Sequence, residues 1–315
     1  MSVVCLGGAC VDRKYCAAAD VQFRTSNPVR ASRGFGGVAR NVAENLARLE
    51  VPVSLMSVVG NDESGVALID HAQRCGIRTQ LVLRDGTYIT PEYAAVVDAY
   101  GELVVGLADM SAMESLTVAD VQRRWEEIRQ SEWLFADCNL SAEVLSWCIA
   151  RASSSGLRLA IDAVSEPKVR KLPDRIDGVD LLVLNEREAA AYLCESFERF
   201  GARPASEQTG MLRERGAGAV ILTMGERGVA AASNGEVQHV PAAAKSIIDT
   251  TGGSDALCAG VLYALVRGRS LFEGARAGSI AAALTVESSA TVRPDLSVAL
   301  LDLHAGRMGE AWSIR

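Results

Sequence analysis

The stretch "DTTGGSDALCAG" runs from Asp249 to Gly260 and continues into the apolar "VLYALV". Two adjacent glycines and a serine lead into an aspartate, and the aspartate opens a helical apolar run. Glycines before a helix let backbone N–H groups converge on one point. The helix N-terminus adds partial positive charge, so the segment suits an anion. Asp255 then has two readings. One is a helix cap, which needs only a short polar side chain. The other is a general base beside an anion hole, taking a proton from a hydroxyl as a phosphoryl group arrives. Ser254 is itself a capping type, which leaves Asp255 free for the second role.

Working outward, short apolar runs alternate with helical patterns. "VVCLGG" (3–8), "VSLMSVV" (53–59), "WLFADC" (133–138), "LRLAID" (157–162), "DLLVLN" (180–185) and "AVILTMG" (219–225) read as strands. Between them "VARNVAENLARLE" (38–50), "SGVALIDHAQRCG" (64–76), "SAEVLSWCIARA" (141–152) and "EREAAAYLC" (186–194) read as helices. Continuous apolar strands separated by helices predict βαβ units. The fold class is α/β: a doubly wound, mostly parallel central sheet flanked by helices, forming one domain over 1–315. Two stretches break the rhythm. Residues 13–33 are polar and irregular, and residues 87–108 read as two strands around the turn "DAYGE". A hairpin inserted in such a domain is a candidate lid or dimer contact. The C-terminal third reads as helices over 254–267, 270–286 and 296–304.

Composition narrows the function. The net charge of −7, with no Lys/Arg block, argues against a nucleic-acid partner. No apolar run approaches the roughly 20 residues of a membrane span, and the N-terminus reaches Asp12 without a basic region, unlike a signal peptide. Eight cysteines without a C-x-x-C pair read as buried thiols in a reducing cytoplasm. Three histidines, at 71, 239 and 304, leave little material for a His-based metal site.

Further motifs sit at predicted strand ends, where open α/β sheets bind ligands. Asp12 follows "LGGAC" and is placed to accept hydrogen bonds from sugar hydroxyls, or to serve as a loop cap. "GFGGVARN" puts Gly36 and Gly37 before a helix with Asn41 in its first turn, either as an ordinary turn or as a close approach to a ligand. "NEREA" offers Asn185 and Glu188, which either cap a helix or hold hydrated Mg²⁺. "TMGERG" places Thr223, Gly225 and Gly228 as a nucleotide cradle or a hairpin turn.

Taken in order, this Asp12, GG-x-x-x-N, N-x-x-E, T-x-G-x-x-G and D-T-x-G-x-x-D series resembles the ribokinase-like (PfkB) carbohydrate kinases over essentially the whole chain. No P-loop motif G-x-x-x-x-G-K-[ST] is present. The resemblance implies transfer of the ATP γ-phosphoryl group to a primary hydroxyl of a sugar or nucleoside, under a small β lid. It assigns Asp255 as base and Gly252, Gly253 and Ser254 as the anion hole. Asp12, Gly36, Gly37 and Asn41 would hold the sugar. Asn185, Thr223, Gly225 and Gly228 would face ATP, and Glu188 would hold Mg²⁺ through water. Asp249 and Thr251 match a monovalent cation (K⁺) site, and relatives commonly form lid-to-lid homodimers.

Finer details resemble the pseudouridine kinases of that family: "SNP" (26–28), Arg40 before Asn41, "ADCNLS" (136–141), "AVSEPK" (163–168) and "RPDLS" (293–297). They add Asn139 and Lys168 as contacts to sugar or base. Other sugar or nucleoside kinases of the family, and a non-catalytic sensor, are the alternatives. Three departures stand out: Ser254 where the family has glycine, Leu184 where it has proline before Asn185, and Ala163 after Asp162. If position 254 needs positive φ, serine strains the anion hole; if it is the helix N-cap, serine is harmless.

Overall fold

The computed structural model describes residues 2–100 and 102–307. The glycine of the "DAYGE" turn, Gly101, and the ends of the expected 1–315 domain lie outside the described residues. The elements are β1 (Val3–Leu6), β2 (Cys10–Ala17), β3 (Val29–Gly36), α1 (Val38–Arg48), β4 (Val53–Met56), β5 (Val58–Gly60), α2 (Glu63–Arg74), β6 (Leu83–Asp85), β7 (Glu92–Val97) and β8 (Leu103–Asp109). They continue as α3 (Val118–Ile128), β9 (Trp133–Asp137), α4 (Ala142–Ser155), β10 (Arg158–Asp162), α5 (Glu166–Val169), β11 (Leu181–Asn185), α6 (Glu186–Tyr192), α7 (Phe197–Gly201) and α8 (Ala205–Glu214). The last are β12 (Ala219–Thr223), β13 (Val229–Ser233), β14 (Glu236–Val240), α9 (Gly253–Val266), α10 (Leu271–Val286) and α11 (Val298–Arg307).

The main sheet runs β14-β13-β12-β11-β10-β9-β1-β4. It is parallel from β12 to β4, with β13 and β14 added antiparallel at one edge. Helices cover both faces, so the strands are buried on both sides. In β1, Val3 and Cys5 join the core beneath α1, α9 and α10, while Val4 and Leu6 join the core beneath α3 and α4. That double burial is why these strands read as unbroken apolar runs. From β1 the chain goes to β4 on one side, and β9 lies on the other. The order reverses there, and a crevice opens at the carboxyl ends of β1 and β9.

A second sheet, β3-β2-β7-β8, stands beside this edge. The segment expected to be irregular, residues 13–33, is about half strand: its two ends lie in β2 and β3, and only the connection 18–28 is irregular. These strands lie in a thin sheet with few buried side chains. Their polar residues therefore lack the apolar signature of a core strand. The expected strand over 53–59 also divides, β4 entering the main sheet and β5 pairing only with β6.

Candidate active site

The site residues come from strand ends set side by side in the main sheet: Thr223 on β12, Asn185 on β11, Asp162 on β10, Asp137 on β9 and the Gly7-Gly8 turn after β1. Asn185 and Thr223 are direct register partners.

Asp255 is the third residue of α9 and is buried. Its carboxylate accepts a hydrogen bond from Asn41 Nδ2 at 2.7 Å. Burial pushes its pKa up to about 6; the Asn41 hydrogen bond opposes this and the charge of Asp137 adds to it. A carboxylate so poised titrates near neutrality, as a general base requires. Asn41 is buried and its Oδ1 has no hydrogen-bond partner among the described residues. A buried acceptor left open beside the base is suited to a ligand hydroxyl.

The N-cap of α9 is Gly252, at φ +79, with no side-chain cap. A Cβ there would lie 1.9 Å from the Thr291 carbonyl oxygen, so only glycine fits. Neither expectation for Ser254 holds. It is the second residue of α9, so it is not the cap, and its φ is not positive, so it is not strained. Its backbone N–H, with that of Asp255, belongs to the open first turn of the helix, whereas Gly253 N donates to the Thr250 carbonyl at 3.3 Å.

Asp12 lies on β2 opposite Gly34 of β3, and its carboxylate fills the space beside Gly36, where a Cβ would stand 2.1 Å from it. Burial raises its pKa, while Cys10 and Arg40 oppose. Gly37 caps α1 at φ +93, pressed against the Gly8 carbonyl. Arg40 is buried, donating to the Phe35 carbonyl at 2.8 Å and pairing with Glu44.

Asp137 was not singled out from the sequence, although "WLFADC" has the same strand-end carboxylate that made Asp12 a candidate. It is fully buried and accepts from the backbone N–H groups of Gly8 (2.8 Å), Ala39 (2.9 Å) and Asn139 (2.9 Å). One carboxylate thus joins the crevice, the start of α1 and the residue expected at the substrate. Asn139 Oδ1 accepts from Lys168 Nζ at 2.5 Å. Burial lowers the Lys168 pKa.

On the other side, Asn185 and Glu188 form the capping box. Asn185 Oδ1 accepts from Glu188 N at 2.9 Å, and Glu188 Oε2 accepts from Asn185 N at 2.8 Å. The second Glu188 oxygen remains, near Asp162. Burial and the charge of Glu188 hold the Asp162 pKa well above the usual range. Hard carboxylate oxygens crowding one another are a donor set that a hydrated Mg²⁺ fits. After Asp162 the chain makes a tight turn about Val164, at φ +66, with Ser165 N donating to the Ala163 carbonyl at 2.7 Å. A β-branched residue rarely adopts this conformation, and such strain gathers at functional sites.

Gly225, at φ +59, opens onto free space at the end of β12. Gly228 has a packing reason to be glycine: a Cβ would stand 2.2 Å from the Val240 carbonyl oxygen. Asp249 has both oxygens engaged, Oδ1 by Thr251 N and Oδ2 by Lys14 Nζ, each at 2.9 Å. Lys14 was likewise not singled out, because a lone lysine in a polar strand gives no signal. Among the described residues Glu44, His71 and Cys75 lie close enough to share a metal ion, but Arg40 and Arg48 already neutralise Glu44.

The pfkB family carbohydrate kinase model matches residues 1–297. The chain belongs to that family. A carbohydrate kinase from Agrobacterium tumefaciens superposes with a TM-score of 0.84 at 31% identity, covering 97% of each chain. The pseudouridine kinase of Escherichia coli strain K12 is 28% identical over 298 residues, 94% of each chain. A ribokinase of Arabidopsis thaliana, solved with ribose and ATP, shares the fold with a TM-score of 0.78 at 20% identity, covering 95% of this chain and 98% of its own. This pfkB protein has the ribokinase-like α/β fold and is an ATP-dependent sugar or nucleoside kinase. No helix among its described residues is long and apolar enough to cross a membrane.

Proposed function

We propose that this kinase phosphorylates the 5′-hydroxyl of pseudouridine, giving pseudouridine 5′-phosphate and ADP. The observation that carries the reading is the Lys168–Asn139 pair, tied through Asp137 to the crevice beside Asn41 and Asp255. With its Oδ1 taken by Lys168, Asn139 offers N–H donors, and so does the ammonium. Two donors beyond the sugar-binding residues suit the two carbonyls of a uracil ring, which a free sugar lacks. The E. coli relative named for that substrate supports the choice.

Asp12 and the open Asn41 oxygen take the ribose hydroxyls, with Gly36 leaving room for the Asp12 carboxylate and Gly37 letting α1 start close against the Gly8 backbone. Asp255 takes the 5′-hydroxyl proton as the O5′–phosphorus bond forms and the bond to the β-phosphate oxygen breaks. The open N–H groups at the start of α9, those of Ser254 and Asp255 after the Gly252-Gly253 turn, stabilise the charge on the phosphoryl oxygens in transit. Asn185, Thr223 and Gly225 face ATP. Glu188, with Asp162, would hold Mg²⁺ through water, and the metal would supply charge neutralisation between phosphates. The segments 13–33 and 87–108 act as a lid that keeps water from ATP. Strand β8 exposes Leu103, Val105 and Leu107 along a free edge, which suits a second copy of the chain in a lid-to-lid homodimer. All eight cysteines are free thiols, which suits the cytoplasm.

The test is ADP release from Mg-ATP with pseudouridine, uridine, cytidine, adenosine, ribose and fructose in parallel. Release with pseudouridine above the others is expected. Turnover confined to a free sugar would reject the substrate assignment in favour of the broader activity, as the Agrobacterium carbohydrate kinase suggests.

A further inference from the structure

Asp249 lies shortly before the anion-binding start of α9. A carboxylate there opposes the approach of a phosphate unless its charge is balanced. One oxygen is fixed by the Thr251 N–H, and that contact brings no net charge. The other oxygen receives Lys14 Nζ at 2.9 Å. Lys14 comes from a distant part of the chain, 235 residues away. It lies on β2 two positions after Asp12, hence on the same face of the strand. The loop is otherwise held through its backbone, with Ile248 N and Asp249 N both donating to the Val286 carbonyl. Asp249 is partly buried, at 22% side-chain exposure, and Lys14 is half-exposed at 46%.

We propose that the Lys14 ammonium is a built-in cation for the anion hole, filling the carboxylate position that Asp249 would otherwise offer to a monovalent metal ion. An ammonium and a K⁺ ion carry the same charge and meet a carboxylate oxygen at similar range. With both Asp249 oxygens engaged, a free cation finds no open carboxylate oxygen there. Because the charge arrives on β2, the strand that presents Asp12 to the acceptor also completes the electrostatics of the phosphoryl site. Lys14 is a positioning residue: it acts through Asp249 on the glycine turn. The proposal rests on phosphoryl transfer at Asp255 and not on which acceptor is used.

The experiment compares wild type, Lys14→Ala and Lys14→Arg in potassium chloride and tetramethylammonium chloride at equal ionic strength. Thermal melting is read without substrates, and ADP release with the best acceptor of the panel. Wild type and Lys14→Arg should show no K⁺-specific rise in melting temperature and no K⁺ activation. Lys14→Ala should lose about tenfold in rate in tetramethylammonium, the effect of one uncompensated charge on a partly screened site. Potassium should restore that rate and raise the melting temperature of this variant alone. A K⁺-specific shift in the wild type would overturn the proposal. So would a Lys14→Ala protein that keeps its rate, or whose defect potassium does not repair. The melting arm uses no acceptor, so a wrong substrate assignment leaves it readable.

Discussion

Asn41 donates to Asp255 at 2.7 Å across 214 residues of sequence, and its own carbonyl oxygen is left open in the buried crevice. One amide therefore holds the Asp255 carboxylate with one end and leaves the other open, which under the proposed function faces the acceptor. Asn41→Ala should both misalign the base and remove a sugar contact. Steady-state kinetics should show kcat lower and KM for the acceptor higher, each by about tenfold or more.

Asp255→Asn keeps the shape and removes the proton acceptor. The expected loss in kcat is about 10³-fold, within the range for a positioned general base, with acceptor binding by calorimetry nearly unchanged. A variant keeping most of its kcat would refute the base assignment.

The raised pKa of Asp255 gives two pH dependences. The rate should climb as pH passes through about 6 and level off above it, since only the carboxylate accepts the proton. Stability runs the opposite way. The folded group holds its proton to about 6 against a reference of 3.8, so folding stability falls as pH rises through that window and stays reduced above it. Asp255→Asn should therefore melt higher than wild type at pH 8, by up to about 3 kcal/mol, and the difference should shrink toward pH 4.

Asp137 accepts three backbone N–H groups at full burial, so Asp137→Ala strands three donors. The expected destabilisation is about 3 kcal/mol or more by chemical denaturation. Asp137→Asn can turn only one oxygen to the three donors, and should fold better than Asp137→Ala while raising KM for the acceptor.

Position 254 separates turn chemistry from helix chemistry. Ser254→Gly should leave kcat within about threefold and cost at most about 1 kcal/mol, because the residue is already helical. Gly252→Ala must meet the Thr291 carbonyl from a left-handed backbone, and should cost several times more stability and most of the activity.

The sequence made the main sheet legible because its strands are covered on both faces and so read as apolar runs. Asp12, Asn41 and Asp255 were legible because glycines mark the turns beside them. Strands β2 and β3 were not, since a thin sheet exposed on much of its surface needs no apolar run. The capping box at Asn185 and Glu188 shows the limit of spacing alone: the same two residues suit a helix start and a metal shell, and the structure makes the first while leaving one oxygen for the second. Asp137 and Lys14 escaped because the partners that place them in the site, Gly8 and Ala39 for Asp137 and Asp249 for Lys14, are 98 to 235 residues away.

The core beneath α1 is closed by α9 and α10, which come late in the chain. During synthesis, α1 and its neighbours β1 and β4 leave the ribosome long before α9 can pack against them. Asp255 arrives on the same helix that provides the cover. A chain ending before residue 253 should therefore expose apolar surface and, with Asp255 as the proposed base, lack activity, so that phosphoryl transfer would appear only when the fold seals.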